Sequence, residues 1–281
     1  HYDLVISSSH SCAKGIITGP NTCHISYIHT PMRYAWDMAS SYLNHVSSIK
    51  CFFAYPLLHW MRLWDYAATA RVDALACNSY YVRKRIEKFY RREATVIYPP
   101  VDVCGYKQTE QQSRDFFLIV SRLVPYKCID IAIEACNRLN YPLKIVGDGP
   151  EYSRLYKLAG PTVEFLGHLE QEQLKGLYQS AKALLFPALE DFGIVPVEAQ
   201  ASGCPVIAYG KGGLLETVLA EQTGIFFTEQ TVHSLMEAMQ RFQGLSFPPE
   251  HFYNHVMQFD KSIFQEKFFD FVENCYKKLM T

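Results

Sequence analysis

Short apolar runs alternate with helical segments along the last two thirds of the chain. The runs with the length and composition of buried strands are Phe116–Ser121, Leu143–Val146, Val163–Leu166, Ala183–Phe186, Val206–Ala208 and Ile225–Phe227. The segments with helical character between and after them are Ile129–Arg138, Glu151–Leu158, Gln171–Ser180, Val197–Ala201, Leu214–Leu219 and Val232–Phe242. Regular alternation at these lengths predicts a parallel sheet with helices on both faces, an α/β domain.

The first third of the chain predicts a second, smaller α/β unit. Its predicted strands are residues 3–8 and 24–28, Ala74–Asn78 and Thr95–Asp102, and its predicted helices are Cys51–Val72 and Tyr80–Phe89. The pair Pro99-Pro100 and the polar stretch Lys107–Arg114 indicate a boundary followed by a linker. We therefore predict domains at 1–108 and 109–258. Residues 259–281 contain a final aromatic-rich helix, Ile263–Leu279.

Composition narrows the class of protein. The 281 residues are 49% hydrophobic, enough for a substantial core, and the net charge of −1 gives no basis for a nucleic-acid partner held by bulk charge. Nine cysteines, an odd number with no C-x-x-C pair, indicate reduced thiols and a cytoplasmic protein. No apolar run of about 18 residues is present, so we expect no membrane span.

Two cations follow the first predicted strand of the larger unit. In sheets of this kind, ligands bind beyond the carboxyl ends of the strands. Arg122 and Lys127 flank Pro125 there, and together they would neutralise a leaving diphosphate. They also fit a surface pair near a helix start. Because cations oppose the helix dipole at that end, an anion between them is the favoured interpretation.

Two carboxylates, Glu190 and Glu198, lie eight residues apart around a glycine turn that opens a helix. We expect Glu190 on the loop and Glu198 on the first helical turn, so that each faces a different part of one ligand. A helix start offers free N–H groups to hydroxyls and phosphates. Taken alone, the two residues also fit solvated charges that happen to flank a helix start.

Four segments in order carry a resemblance to a known family. Glu190–Glu198 with the Ala-Gln-Ala-Ser-Gly-Cys-Pro that follows, Ser121–Lys127, Val146–Pro150 and His29–Asp37 together resemble family 4 glycosyltransferases, and His29–Asp37 resembles a branch with bacterial polysaccharide mannosyltransferases. The resemblance implies the GT-B fold, two Rossmann-like domains. Because the resembling enzymes begin well upstream of a strand like residues 3–8, we expect the first domain to be truncated at its N-terminus.

The resemblance also implies roles for individual residues. Glu198 would bind the nucleotide ribose, since a carboxylate accepts hydrogen bonds from two vicinal hydroxyls, and Glu190 would face the donor sugar. The other residues implied on the donor side, mostly through their backbone, are Gly147, Gly149, Gly167, His168, Phe192, Gly193 and Ile194. No D-x-D sequence occurs, so Arg122 and Lys127 would replace a metal clamp. We expect no metal and no cofactor.

The resemblance implies that His29 is catalytic, together with Glu190, Arg122 and Lys127, and that its neutral imidazole bonds a hydroxyl of the donor sugar; alone, His29 would fit a buried, satisfied histidine better. His10 ends a strand nearby. The remaining acceptor-side candidates, for which packing is an equal alternative, are Arg33, Tyr34, Trp36 and Asp37.

The function implied is retaining transfer of a hexose from a nucleoside diphosphate sugar to a saccharide or a lipid-linked saccharide. GDP-mannose is favoured over UDP-sugars. The alternatives are a GT-B sugar-nucleotide 2-epimerase and a non-catalytic nucleotide-sugar-binding fragment. The aromatic segment Phe52–Trp64 fits core packing better than contact with a membrane surface; the second interpretation would place the protein at the inner face of the membrane.

Overall fold

The computed structural model describes residues 2–39, 43, 48–106 and 114–280. The chain divides into two compact units, His1–Tyr98 with Phe264–Thr281, and Pro99–Ile263. The predicted linker Lys107–Arg114 and the predicted boundary at 108/109 lie outside the described residues, except for Arg114. Both units are α/β with all-parallel sheets, which confirms the predicted fold class.

The first unit contains a four-stranded sheet in the order β1-β2-β3-β4. Its strands are β1 (Leu4–Ser9), β2 (Cys23–Ile28), β3 (Ala74–Cys77) and β4 (Thr95–Val96), and its helices are α1 (Ser48–Ala70), α2 (Tyr80–Tyr90) and, from Phe264 onward, the last helix. Ser79 caps α2 by accepting a hydrogen bond from Val82 N. The fourth strand is shorter than the predicted Thr95–Asp102, because Pro99 and Pro100 have no N–H to donate to a ladder.

Helices cover both faces of this sheet. One core cluster joins Ile28, Leu75 and Cys77 to residues of α2 such as Ile86. A second cluster, formed by Tyr27, Ala76 and Ile97, packs against phenylalanines of the last helix, Phe264, Phe268 and Phe271. The last helix, predicted as Ile263–Leu279, therefore completes the core of the first unit.

The second unit contains a six-stranded sheet in the order β10-β9-β8-β5-β6-β7. Its strands are β5 (Phe116–Val120), β6 (Leu143–Val146), β7 (Val163–Gly167), β8 (Ala181–Phe186), β9 (Val206–Tyr209) and β10 (Gly224–Phe227). Its helices are α3 (Ile129–Leu139), α4 (Tyr152–Leu158), α5 (Gln171–Ser180), α6 (Ile194–Ala201), α7 (Leu214–Thr217), α8 (Val232–Phe242) and α9 (Pro249–Val256), and α10 (Lys261–Met280) begins here. The chain winds one way from β5 to β7 and the other way from β8 to β10, so the topology reverses between β5 and β8.

Candidate active site

The point where the strand order reverses brings the predicted site residues of the second unit together. Lys127 lies on the loop after β5 and Glu190 on the loop after β8, and β5 and β8 are hydrogen-bonded neighbours. Lys127 Nζ donates to Glu190 Oε1 in a charged pair. The side chains are 17% and 20% exposed, so the pair is open to a ligand but largely withdrawn from water. Residues separated by 63 positions thus form one charged centre.

The loop after β6 packs directly against the loop after β5. A Cβ atom at Gly147, whose φ is +124°, would lie 2.0 Å from the Ser121 carbonyl oxygen, and one at Gly149 would lie 2.4 Å from the Leu123 carbonyl oxygen. Leu123 N also donates to the Asp148 carbonyl at 2.9 Å. Because only glycine permits this approach, the segment Val146–Pro150 fixes the backbone that carries Arg122 and Lys127. Arg122 itself is exposed and makes no ion pair with a residue the structure describes.

The loop that carries Glu190 leads into helix α6. Gly193, with φ +94°, forms the turn before the first helical residue, Ile194, which is 44% exposed. The Glu190 carbonyl accepts from Gly213 N at 2.9 Å, which ties this loop to the one after β9. Phe192 is a core residue, since it is buried and its ring packs edge-on against Phe259 at 5.4 Å. Any ligand contact from Phe192 must therefore come from its backbone.

Glu198 lies on the second turn of α6, not on the first as predicted, because the helix begins at Ile194. Tyr178 Oη donates to Glu198 Oε2 at 3.3 Å, and Tyr106 also hydrogen-bonds this carboxyl group. Burial raises the pKa of Glu198, and the hydrogen bonds from Tyr106 and Tyr178 oppose that rise. The two tyrosines thus hold a half-buried carboxylate in place from the side of the protein.

Sequence reasoning did not identify these two tyrosines. Tyr178 is fully buried on α5, where it continues the apolar face of an amphipathic helix, and burial raises its pKa far above the usual value. Burial raises the pKa of Tyr106 to about 12, so both hydroxyls stay protonated and donate. A possible signal was the tyrosine, rather than phenylalanine or leucine, on the apolar face of α5, since buried hydroxyls require a partner.

Gly167 and His168 follow β7. Gly167 has φ +68° and no atom within 4 Å of the position of a Cβ, and its carbonyl accepts from Gly147 N at 2.7 Å. His168 is exposed. This open backbone at the end of β7 lies two strands away from Lys127 along the same sheet edge.

His29, predicted as catalytic, and the predicted acceptor-side residues lie in the first unit. His29 follows β2 and His10 follows β1, and these strands are parallel neighbours. His29 Nε2 is 2.8 Å from Ser8 Oγ. Burial, and to a lesser degree the charge of His10, lower the pKa of His29, so its imidazole is neutral at pH 7. His10 itself is exposed.

The other residues of this group are engaged within the first unit. Trp36 stacks on Phe89 at 4.8 Å and donates from Nε1 to Asp65 Oδ2 at 2.8 Å. Asp37 accepts from Arg85 Nη2 at 2.8 Å. Tyr34 Oη lies 2.8 Å from Ser11 Oγ, and Arg33 is partly buried. Packing and a hydrogen bond within the unit thus account for Trp36, and Tyr34 and Arg33 are both partly buried.

No cluster of three or more histidine, cysteine, aspartate or glutamate side chains with metal-binding geometry occurs among the described residues. The cysteines with described side chains are free thiols. No helix in the described ranges has the length and apolarity that crossing a bilayer requires.

Comparison with known proteins places this geometry in context. The model of the family "Glycosyl transferases group 1" matches residues 106–246, which contain the whole charged centre. The chain is 26% identical over 233 residues to the alpha-1,3/1,6-mannosyltransferase of Mus musculus, covering 70% of this chain and 55% of that protein. It is 38% identical over 135 residues to a GDP-mannose-dependent monoacylated alpha-(1-6)-phosphatidylinositol monomannoside mannosyltransferase of Corynebacterium glutamicum, covering 42% and 35%.

A solved structure matches over almost the full chain. The sucrose-phosphate synthase of Thermosynechococcus elongatus superposes with a TM-score of 0.82 at 18% identity, covering 99% of this chain and 74% of that one. At this identity the likeness concerns the fold. The chain spans about half of the length, or less, of curated relatives that it matches.

Proposed function

Because this chain belongs to the glycosyl transferases group 1 family, we propose that it transfers a hexose from a nucleoside diphosphate sugar to a saccharide or lipid-linked saccharide hydroxyl. The observation that carries the proposal is the contact of Lys127 with Glu190 at the reversal point of the sheet. A ligand at this point meets a cation for a phosphate and a carboxylate for a sugar hydroxyl. Glu198, held by Tyr106 and Tyr178, presents its free lone pairs to the ribose diol.

The proposed chemistry needs no protein nucleophile. The bond from the anomeric carbon to the diphosphate oxygen breaks, and Arg122 and Lys127 neutralise the charge that develops on the diphosphate. The acceptor hydroxyl attacks the same face through an oxocarbenium-like state, and its proton passes to the leaving diphosphate. Both bonds lie on one face of the sugar, so the configuration is retained. Two cations take the place of a metal ion in this scheme.

We assign mannose as the hexose and GDP-mannose as the donor. The support comes from the resemblance of His29–Asp37 to mannosyltransferases and from relatives that are named as such. We assign the neutral His29 to a hydroxyl of the donor sugar, where it exchanges hydrogen bonds without adding charge.

A thermal-shift panel of GDP, UDP and their sugars, in buffer free of divalent ions, tests the donor class. A nucleotide at about 100 times its Kd stabilises by about 2.7 kcal/mol, which raises Tm by roughly 5–10 °C for a unit of this size. The Lys127→Ala variant should lose about half of this shift or more at the same nucleotide concentration, whereas Glu164→Gln, which removes a surface partner of Lys144, should keep it. If no nucleotide raises Tm, the donor assignment is wrong. NMR of the product anomer then tests retention.

A further inference from the structure

Helix α1 presents aromatic and aliphatic side chains to solvent over most of its circumference. Phe52, Phe53 and Trp60 are 74%, 70% and 70% exposed. The other large apolar side chains exposed on α1 are Tyr55, Leu57, Leu63, Trp64 and Tyr66. The buried side is narrow and includes Asp65 and Ala68. The core-packing interpretation of Phe52–Trp64 is therefore wrong, since the segment packs through a minority of its side chains.

A second segment extends the same patch. Gly15 lies against the Trp64 ring so closely that a Cβ atom there would be 2.5 Å from it. The next residues, Ile16 and Ile17, are 48% and 83% exposed. We call the exposed apolar side chains of α1, together with Ile16 and Ile17, the aromatic face. Its six aromatic residues alone expose on the order of 700 Å², taking about 200 Å² for a whole side chain, which exceeds the usual largest patch of a monomer.

The aromatic face has no carboxylate of its own. Asp65, the one acidic residue of α1, is fully buried and pairs with Lys14. Its Oδ2 also accepts from Trp36 Nε1 and Tyr90 Oη, at 2.8 and 2.7 Å. Between Asp37 and Asp65 the sequence contains no aspartate or glutamate. The charge within that stretch comes from Lys50 and Arg62 and, when they are protonated, from His45 and His59, in a chain whose net charge is −1.

We propose that the aromatic face docks on the surface of an anionic phospholipid bilayer, with α1 lying in the plane of the interface. Tryptophan and tyrosine favour the level of the lipid headgroups, where one edge of the ring stays wet. Phenylalanine, leucine and isoleucine reach the acyl boundary, and cations without neighbouring carboxylates meet anionic headgroups. A bilayer also envelops a helix that is apolar around a wide arc, whereas a rigid protein partner covers a narrower one. The docking does not depend on the proposed glycosyl transfer.

Vesicle sedimentation of the full chain tests this assignment in the absence of any nucleotide or saccharide. The probes are vesicles of phosphatidylcholine alone and of phosphatidylcholine with 30% phosphatidylglycerol. The perturbed variant is Phe53→Ser with Trp60→Ser; both side chains are 70% exposed, so the fold should survive. The matched control is Phe269→Ser, because Phe269 is 67% exposed but lies on α10. Circular dichroism confirms that each variant is folded.

We expect binding to the anionic vesicles and a drop of about tenfold or more in partition coefficient for the double variant, with no change for Phe269→Ser. Tryptophan fluorescence should shift to the blue with these vesicles, because Trp60 and Trp64 make up two of the three tryptophans. The proposal is overturned if the chain does not sediment with anionic vesicles, or if Phe269→Ser loses as much binding as the double variant. It is also overturned if sedimentation velocity shows a dimer that the double variant dissociates, since the occupant would then be a second copy.

Discussion

The ion pair of Lys127 and Glu190 leads us to predict opposite effects on diphosphate binding when one or the other residue is replaced. In the free protein, the Glu190 carboxylate pairs with the Lys127 ammonium group, which a diphosphate would need to bind. A bound diphosphate must therefore displace the carboxylate and then lie close to it. Replacement of Glu190 by glutamine removes a carboxylate that competes with the diphosphate for Lys127 and repels the bound diphosphate. Replacement of Lys127 by alanine removes the cation that attracts the diphosphate.

The magnitudes follow from burial. The side chains of Lys127 and Glu190 are 17% and 20% exposed, so the free energy of their interaction should lie at or above the upper end of the range for exposed ion pairs, about 1 kcal/mol. Glu190→Gln should therefore bind the bare diphosphate about fivefold more tightly. A lost charge-assisted hydrogen bond costs about 1.5–3 kcal/mol, so Lys127→Ala should bind about 10- to 150-fold more weakly. Transfer should fall in both variants, because Glu190 contacts the reacting sugar in the proposed mechanism.

Titration calorimetry with the bare nucleoside diphosphate, beside initial rates with the intact donor, separates the two effects. Glu164→Gln is the control, since it removes a carboxylate that lies 3.7 Å from Lys144 and near the start of β7, away from the carboxyl ends of the strands. The reasoning fails if Glu190→Gln weakens diphosphate binding as much as Lys127→Ala does. In that case the pair would serve to shape the loops after β5 and β8.

Four further outcomes are expected. Turnover with EDTA should equal turnover with added magnesium, and a requirement for a divalent ion in the rate assay would contradict the two-cation clamp. In calorimetry, Glu198→Gln should bind the bare nucleoside diphosphate about tenfold or more weakly than the wild type, because it loses a charge-assisted contact with the ribose. The same variant should unfold at a higher temperature than the wild type at pH 7. Because burial raises the pKa of Glu198, the stability that its protonated carboxyl contributes to the fold is complete below pH 4.5 and is lost as the pH rises through the folded pKa. The difference in unfolding temperature between the variant and the wild type should therefore vanish in scans below pH 4.5. His29→Ala should lower kcat/KM about 2- to 13-fold, the cost of one neutral hydrogen bond, and calorimetry should find its affinity for the bare diphosphate unchanged.

The elements that the sequence predicted best are those whose signal is local. Leu143–Val146 and Gln171–Ser180 have the predicted bounds, because a short apolar run and an amphipathic decapeptide are each complete within one window. The strand predicted from Thr95 was too long, since apolar character continued past the point where proline ends the ladder. Helix α9, Pro249–Val256, was not predicted; its proline fits the first helical turn, but only three of its eight residues are buried.

The candidate site divides in the same way. Lys127 and Glu190 were predictable because each lies on the loop that follows a strand, and parallel strands bring their carboxyl ends to one edge of the sheet. Tyr106 and Tyr178 were not, because their contacts with Glu198 depend on how side chains from separate segments pack. The exposure of α1 was also out of reach, since an aromatic helix gives the same pattern whether it packs in a core or meets a bilayer.

Glu198 shows that a ligand-binding residue of this kind is recognisable because it lowers the stability of the free protein. Burial alone would favour the protonated carboxyl, and the hydrogen bonds from Tyr106 and Tyr178 only partly restore the ionised form. A residue selected for stability alone at this position on α6 would be apolar, like its neighbours Val197 and Ala199, which are fully buried. A ribose diol would supply the donors that the half-buried carboxylate lacks, so ligand binding should relieve the penalty that folding leaves. The donor's affinity and the free protein's reduced stability then have the same physical origin.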